Sequence, residues 1–149
     1  MSCLAMELRS DSLRYVVCRK GTSAIEFAIV LPVFVMLLFG IISYGAYLTV
    51  VHSVQQLAAE ATRAGVAGLS DSERASLASS NIAANVASYP LISAKKLTVA
   101  SAATDPATST FSVTLNYDAS GMVVFTLPSF VPSPPTTVVR SAAIQRGGY

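Results

Sequence analysis

Glu26 is the side chain of this sequence best placed to do chemistry. It lies one turn inside a long apolar stretch, and residues 27–51 after it, F-A-I-V-L-P-V-F-V-M-L-L-F-G-I-I-S-Y-G-A-Y-L-T-V-V, carry no charged side chain. A carboxylate at that depth is costly and needs a partner, which makes it a functional residue by default. Two readings of it are open. In one, Ser23-Ala24-Ile25-Glu26 is an S-x-x-E capping box, with Glu26 satisfying the Ser23 backbone N–H and its charge favoured by the helix dipole. The other starts from Gly21, which follows the basic pair Arg19-Lys20 and precedes T-S-A-I-E-F.

The remaining reactive side chains offer little. His52 is the single histidine and stands just past the apolar run, where it reads as an interfacial polar residue; no second titratable group is spaced to pair with it. Cys3 and Cys18 both precede Gly21, and their spacing matches no metal motif. The sequence has no G-x-S-x-G and no Gly-rich phosphate loop. Lys95-Lys96 is too short a basic cluster for more than a solvated loop. The expectation is a protein without catalytic residues, metal or cofactor.

These residues are positioned by an unusual composition. Of 149 residues, 52% are hydrophobic and only 12% charged, against about 25% charged in ordinary soluble domains. The run over 27–51 would span roughly 37 Å as a helix at ~1.5 Å per residue, more than the ~30 Å of bilayer hydrocarbon. It predicts a transmembrane helix, with Tyr44 and Tyr47 near the far headgroup layer. The chain then divides into a leader over 1–21, a transmembrane helix over 22–51 and a globular domain over 52–149. The leader carries Arg9, Arg14, Arg19 and Lys20 against Glu7 and Asp11, whereas the rest is balanced. Basic residues beside a membrane span stay in the cytoplasm, so the amino terminus is expected inside and the domain exported. An ordinary secretory signal is excluded, because the apolar run is too long and no A-x-A site follows it. The scattered basic residues exclude nucleic acid as a partner.

The pattern R-K-G-T-S-A-I-E-F followed by the apolar run resembles the processing site of type IV pilin-like proteins. Together with Pro32 and Phe39-Gly40-Ile41, it is most similar to the TadE-like minor pseudopilins of the tight-adherence (Flp) pilus. The resemblance is dense over residues 19–47 and diffuse beyond. It implies that a prepilin peptidase in the bacterial inner membrane cuts between Gly21 and Thr22, so that Glu26 becomes the fifth mature residue, followed by Phe27. It further implies pairing of Glu26 with an amino-terminal amine during subunit association. Independently of the resemblance, Pro32 is expected to kink the helix, since its ring removes a hydrogen bond to the preceding turn. Implied partners are the peptidase, the major pilin, sibling pseudopilins, the membrane secretion platform and the lipid bilayer. The capping box is compatible with this before processing. The alternative is an uncleaved signal-anchored envelope protein whose exported domain binds a ligand or partner.

The rest of the chain predicts an α+β domain. The first helix should run from 22 to about 68, with Leu57, Ala61, Ala64, Gly65 and Gly68 as a narrow stripe that covers the protein's own sheet in the favoured reading and meets another subunit in the other. Ser70-Asp71-Ser72-Glu73, a second S-x-x-E, starts another helix over 71 to about 88, with Leu77, Ile82 and Val86 as its apolar positions. Strands follow over 97–102 and 110–117, the latter alternating strictly so that Phe111, Val113, Leu115 and Tyr117 share a face. A turn over 118–121 leads into a further strand over 122–127. Four prolines over 128–135 form a rigid connection, and a last strand covers 136 to about 144. The expected fold is a long amino-terminal helix continuing into a small pilin-like domain. That domain holds a second helix and a three- to four-stranded antiparallel sheet, one face covered by helix.

Overall fold

The computed structural model of the chain describes residues 19–129 and 131–145, with side chains from Ser23 onward. The predicted leader up to residue 18, with both cysteines, lies outside the described residues. The chain divides into two compact units, Met1–Met36 and Leu37–Tyr149. What is described of the first is one element, the beginning of helix α1 (Arg19–Val66, 48 residues).

The second unit is built on the later part of α1, helix α2 (Asp71–Asn85) and a three-stranded antiparallel sheet in the order β1 (Leu97–Asp105), β2 (Thr110–Asp118), β3 (Thr137–Gln145). The arrangement is α+β and pilin-like: a long apolar helix, a second helix, then a meander. Strand β2 is central, and its alternation decides which face is buried. Phe111, Val113 and Leu115 are fully buried and Tyr117 nearly so. Each such side chain gains on the order of 1.5–3 kcal/mol from leaving water. They meet Tyr47, Val50, Val54, Leu57, Ala58 and Ala61 of α1 in one core. The pairing of β1 with β2 runs from Leu97↔Tyr117 to Asp105↔Thr110, with an irregularity between Val99 and Ser101. β3 pairs with β2 without interruption from Thr110↔Gln145 to Asp118↔Thr137.

Small residues on α1 set how closely helix and sheet approach. A Cβ added to Gly65 would stand 2.4 Å from the Phe111 ring, so only glycine admits that contact. The Leu57–Ala61–Gly65 stripe therefore covers the protein's own sheet, as its spacing suggested. Polar groups on the same helix are also used: the Gln55 amide donates to the Ser141 carbonyl at 3.0 Å, and the fully buried Thr62 hydroxyl donates to the Ala58 carbonyl at 2.6 Å.

Three local expectations are corrected. Residues 122–127 are not a strand: Val123–Thr126 form a 3-10 turn. Both edges of β2 are taken by β1 and β3, and the Ala119 N–H donates to the Thr136 carbonyl at 2.8 Å, which closes residues 120–135 into an excursion from the sheet. On α2 the buried set is Arg74, Ala78 and Ile82, while Leu77 is exposed. The i, i+4, i+8 spacing of that set turns Leu77 off the packed face. Arg74 is tolerated there because its guanidinium donates to Asp71 Oδ1 at 2.7 Å and to the Leu69 carbonyl at 3.1 Å. The third correction concerns the start of α1.

Candidate functional site

The first S-x-x-E does not cap a helix. α1 is already helical at Arg19, so Ser23 stands inside it rather than at a helix start. Gly21 and Thr22 are both helical residues of α1. Glu26 is exposed, and no ion pair joins it to another described side chain. Phe27 beside it is 64% exposed. Pro32 lies within α1, which continues through it to Val66. Its ring removes the N–H that would bond the Ala28 carbonyl, a loss that membrane helices accommodate with neighbouring groups.

Every residue from Ser23 to Phe39 is exposed. Among them are Ile25, Phe27, Ile29, Val33, Phe34 and Phe39, each more than half exposed. Leaving so many large apolar side chains in water would cost tens of kcal/mol in all, at about 1.5–3 each. This stretch belongs to the one described helix long and apolar enough to cross a membrane, within Ser23–Val66, and none of its most apolar window is buried. The core helix of a soluble protein would be mostly buried. The segment is built as a single-pass membrane anchor.

Burial begins at Ser43, and Tyr47 and Val50 belong to the packed core. The two tyrosines expected near the headgroup layer are tied to the proline-rich connection of their own chain. Tyr44 donates its hydroxyl to the Pro132 carbonyl, and Tyr47 donates to Pro135 O at 3.0 Å. Phe125 meets Tyr47 edge-on, with ring centroids 6.4 Å apart. Sequence reasoning found the tyrosines and the prolines separately. Their link had a signal: Tyr-x-x-Tyr puts two hydroxyls on one helix face, and a proline-rich segment offers carbonyls that no ladder uses.

Elsewhere the carboxylates are engaged by the fold. Glu73 accepts from the Leu69 N–H at 2.8 Å, and Ser70 Oγ accepts from the Glu73 N–H at 3.2 Å, so the second S-x-x-E does cap α2. Asp105 is held below its usual carboxylate range by the Ala107 N–H and the Thr108 hydroxyl, and Asp118 likewise by the hydroxyl and N–H of Ser120. Glu60 accepts from the Tyr89 hydroxyl at 3.1 Å, and burial followed by that bond pushes the Tyr89 phenol up. His52 is exposed on α1. Among the described residues, no three His, Cys, Asp or Glu side chains come together as metal ligands.

Residues 21–63 match the model of the TadE-like protein family. The match begins at Gly21 and ends within α1, so it covers both the exposed apolar segment and most of the packed part of that helix. Over this stretch the chain is similar to TadE-like proteins. No curated protein and no solved structure matches it.

Proposed function

We propose that this chain is a minor pseudopilin of a tight-adherence pilus, cut after Gly21 by a prepilin peptidase and assembled through the amino-terminal end of α1. The observation that carries this reading is Glu26: an exposed carboxylate inside an apolar helix that matches the TadE-like model from Gly21 onward, with no ion pair to another described side chain. Processing would free an α-amino group at Thr22, about one helical turn from Glu26. That amine could reach Glu26 of the same chain or of a neighbouring subunit. An ion pair at ~4 Å in an environment of intermediate dielectric is worth on the order of 4 kcal/mol before desolvation is subtracted. A lone carboxylate near lipid would thus drive the subunit toward a partner, and Phe27 with the following apolar face would pack against that partner's stem.

In this reading the chain resides in the inner membrane, amino terminus in the cytoplasm and domain exported. The basic residues ahead of α1 favour that sidedness. Its partners are the peptidase, the major pilin, sibling pseudopilins and the secretion platform, and it acts as an assembly subunit rather than an enzyme.

A second reading, an uncleaved signal-anchored envelope protein, draws on the helical state of Gly21 and Thr22. A peptidase needs extended backbone. The cut therefore requires α1 to open locally, and glycine at position 21 is a poor helix former that favours such opening. The two readings separate on the intact mass and amino-terminal sequence of the membrane-extracted protein, with and without a co-expressed prepilin peptidase. A chain beginning at Thr22 only when the peptidase is present, and blocked by changing Gly21, is the expected result. Retention of the leader under both conditions would leave the signal-anchor reading in its place.

A further inference from the structure

The connection between β2 and β3 is fastened to α1 beside the end of the exposed apolar segment. Its base is closed by the bond from the Ala119 N–H to Thr136 O, Val124 is buried, and Phe125 packs on Tyr47. Its proline carbonyls accept from Tyr44 and Tyr47. Those tyrosines follow directly on the exposed Leu37, Leu38, Phe39, Ile41 and Ile42. A bilayer span needs about 20 residues, and a span counted from Ile25 ends at Tyr44.

The chemistry of the connection suits that boundary. No charged residue occurs between Asp118 and Arg140. Val123 is 65% exposed at its surface, and Ser129, Pro132 and Pro135 are exposed as well. Four of its residues are prolines, which have no N–H to leave unsatisfied when backbone enters a medium poor in water. One cation stands beside it and a second adjoins the first in sequence. Lys95 and Lys96 are exposed in the turn before β1, at the end of the sheet where Leu97 pairs with Tyr117. Lys96 Nζ would stand only 2.7 Å from a Cβ at Gly121. The neighbouring Asp118 carboxylate, bonded by the Ser120 N–H at 2.9 Å, also feels the Lys96 charge.

We infer that residues 120–129 and 131–135 rest in the interfacial layer of the bilayer crossed by α1, with Lys95 and Lys96 against anionic lipid headgroups. This rests on the reading of α1 as a membrane anchor. The folded domain is then seated on the membrane by a second, shallow contact, and leaving the membrane requires that contact to break.

The chain contains no tryptophan, so single-tryptophan variants report one position each. The full chain carrying V123W, S129W, L69W or F34W would be reconstituted into phosphatidylcholine–phosphatidylglycerol vesicles containing lipids brominated high or low on the acyl chain. A side chain at the interface lies about 5–10 Å below the headgroup surface, so V123W and S129W should lose roughly half their emission to the high bromines. L69W, exposed at the other end of α1, should lose none, and F34W should be quenched by the low bromines. V123W and S129W quenched no more than L69W, with F34W still quenched, would overturn the inference and leave the anchor standing. A blue-shifted V123W without quenching would mean that a second copy covers the connection, and would also overturn it. An unquenched F34W would remove the anchor itself.

Discussion

The motif S-x-x-E occurs twice in this chain, at residues 23–26 and 70–73, and the two copies have opposite fates. The second starts a helix. Ser70 has extended backbone, its hydroxyl accepts from the Glu73 N–H, and Glu73 reaches back to the Leu69 N–H. The first lies inside a helix that has already begun at Arg19, so it has no orphan N–H groups to satisfy. What precedes each motif decides the outcome. Gly68 and Leu69 break the chain ahead of Ser70, and a Cβ at Gly68 would press against the Arg74 backbone at 2.8 Å. Ahead of Ser23 the described residues from Arg19 onward are unbroken helix. Glu73 is therefore consumed by folding, whereas Glu26 is exposed and pairs with no other described side chain.

Substitutions can break this contrast from either side. The largest effect on folding is expected at Arg74, which is 4% exposed and binds both Asp71 and the Leu69 carbonyl beside the second motif. Arg74→Ala should lower the unfolding free energy by about 2–4 kcal/mol through lost packing and charged hydrogen bonds, read as a shifted denaturant midpoint in detergent. Ser70→Ala removes the cap itself and should cost about 1 kcal/mol by the same measurement. Glu73→Gln keeps an acceptor but loses the charge at the helix start, for about 0.5 kcal/mol. At the first motif Ser23→Ala should leave stability within about 0.5 kcal/mol of the parent. A cost there similar to that at Ser70 would mean that the helix starts later than Arg19.

Acid should sharpen the same division. Asp105 and Asp118 have native pKa values below the unfolded ones, because backbone and hydroxyl donors favour their charged forms. Their stabilisation is present above the ordinary aspartate range and is lost as pH falls through the lowered native values. Asp105→Asn should flatten the acid limb of the stability profile, measured by denaturation from neutral pH downward.

Much of the fold was legible from pattern. Strict alternation over 110–117 named the four buried residues of β2, and small residues at helical spacing named the α1 face that covers them. Failures arose where hydrophobicity competes with geometry. Leu77 outranks Arg74 in any transfer scale, yet Arg74 is inside because its guanidinium finds a carboxylate and a carbonyl. Residues 122–127 have strand composition, but both edges of β2 were already occupied. The candidate site was legible because it rests on local sequence: a glycine, a carboxylate and an uninterrupted apolar run. The attachment of the proline connection to Tyr44 and Tyr47 was not, since its partners lie 88 positions apart.

The most direct test of the account is Glu26→Gln in the full chain, with co-purification of its pilus-system partners from membranes and unfolding both measured on the same variant. The account predicts unchanged membrane insertion and an unchanged unfolding midpoint. It also predicts at least a tenfold loss of association, equivalent to about 1.4 kcal/mol. Association at the parental level, or a destabilised fold, would contradict the claim that Glu26 is reserved for assembly.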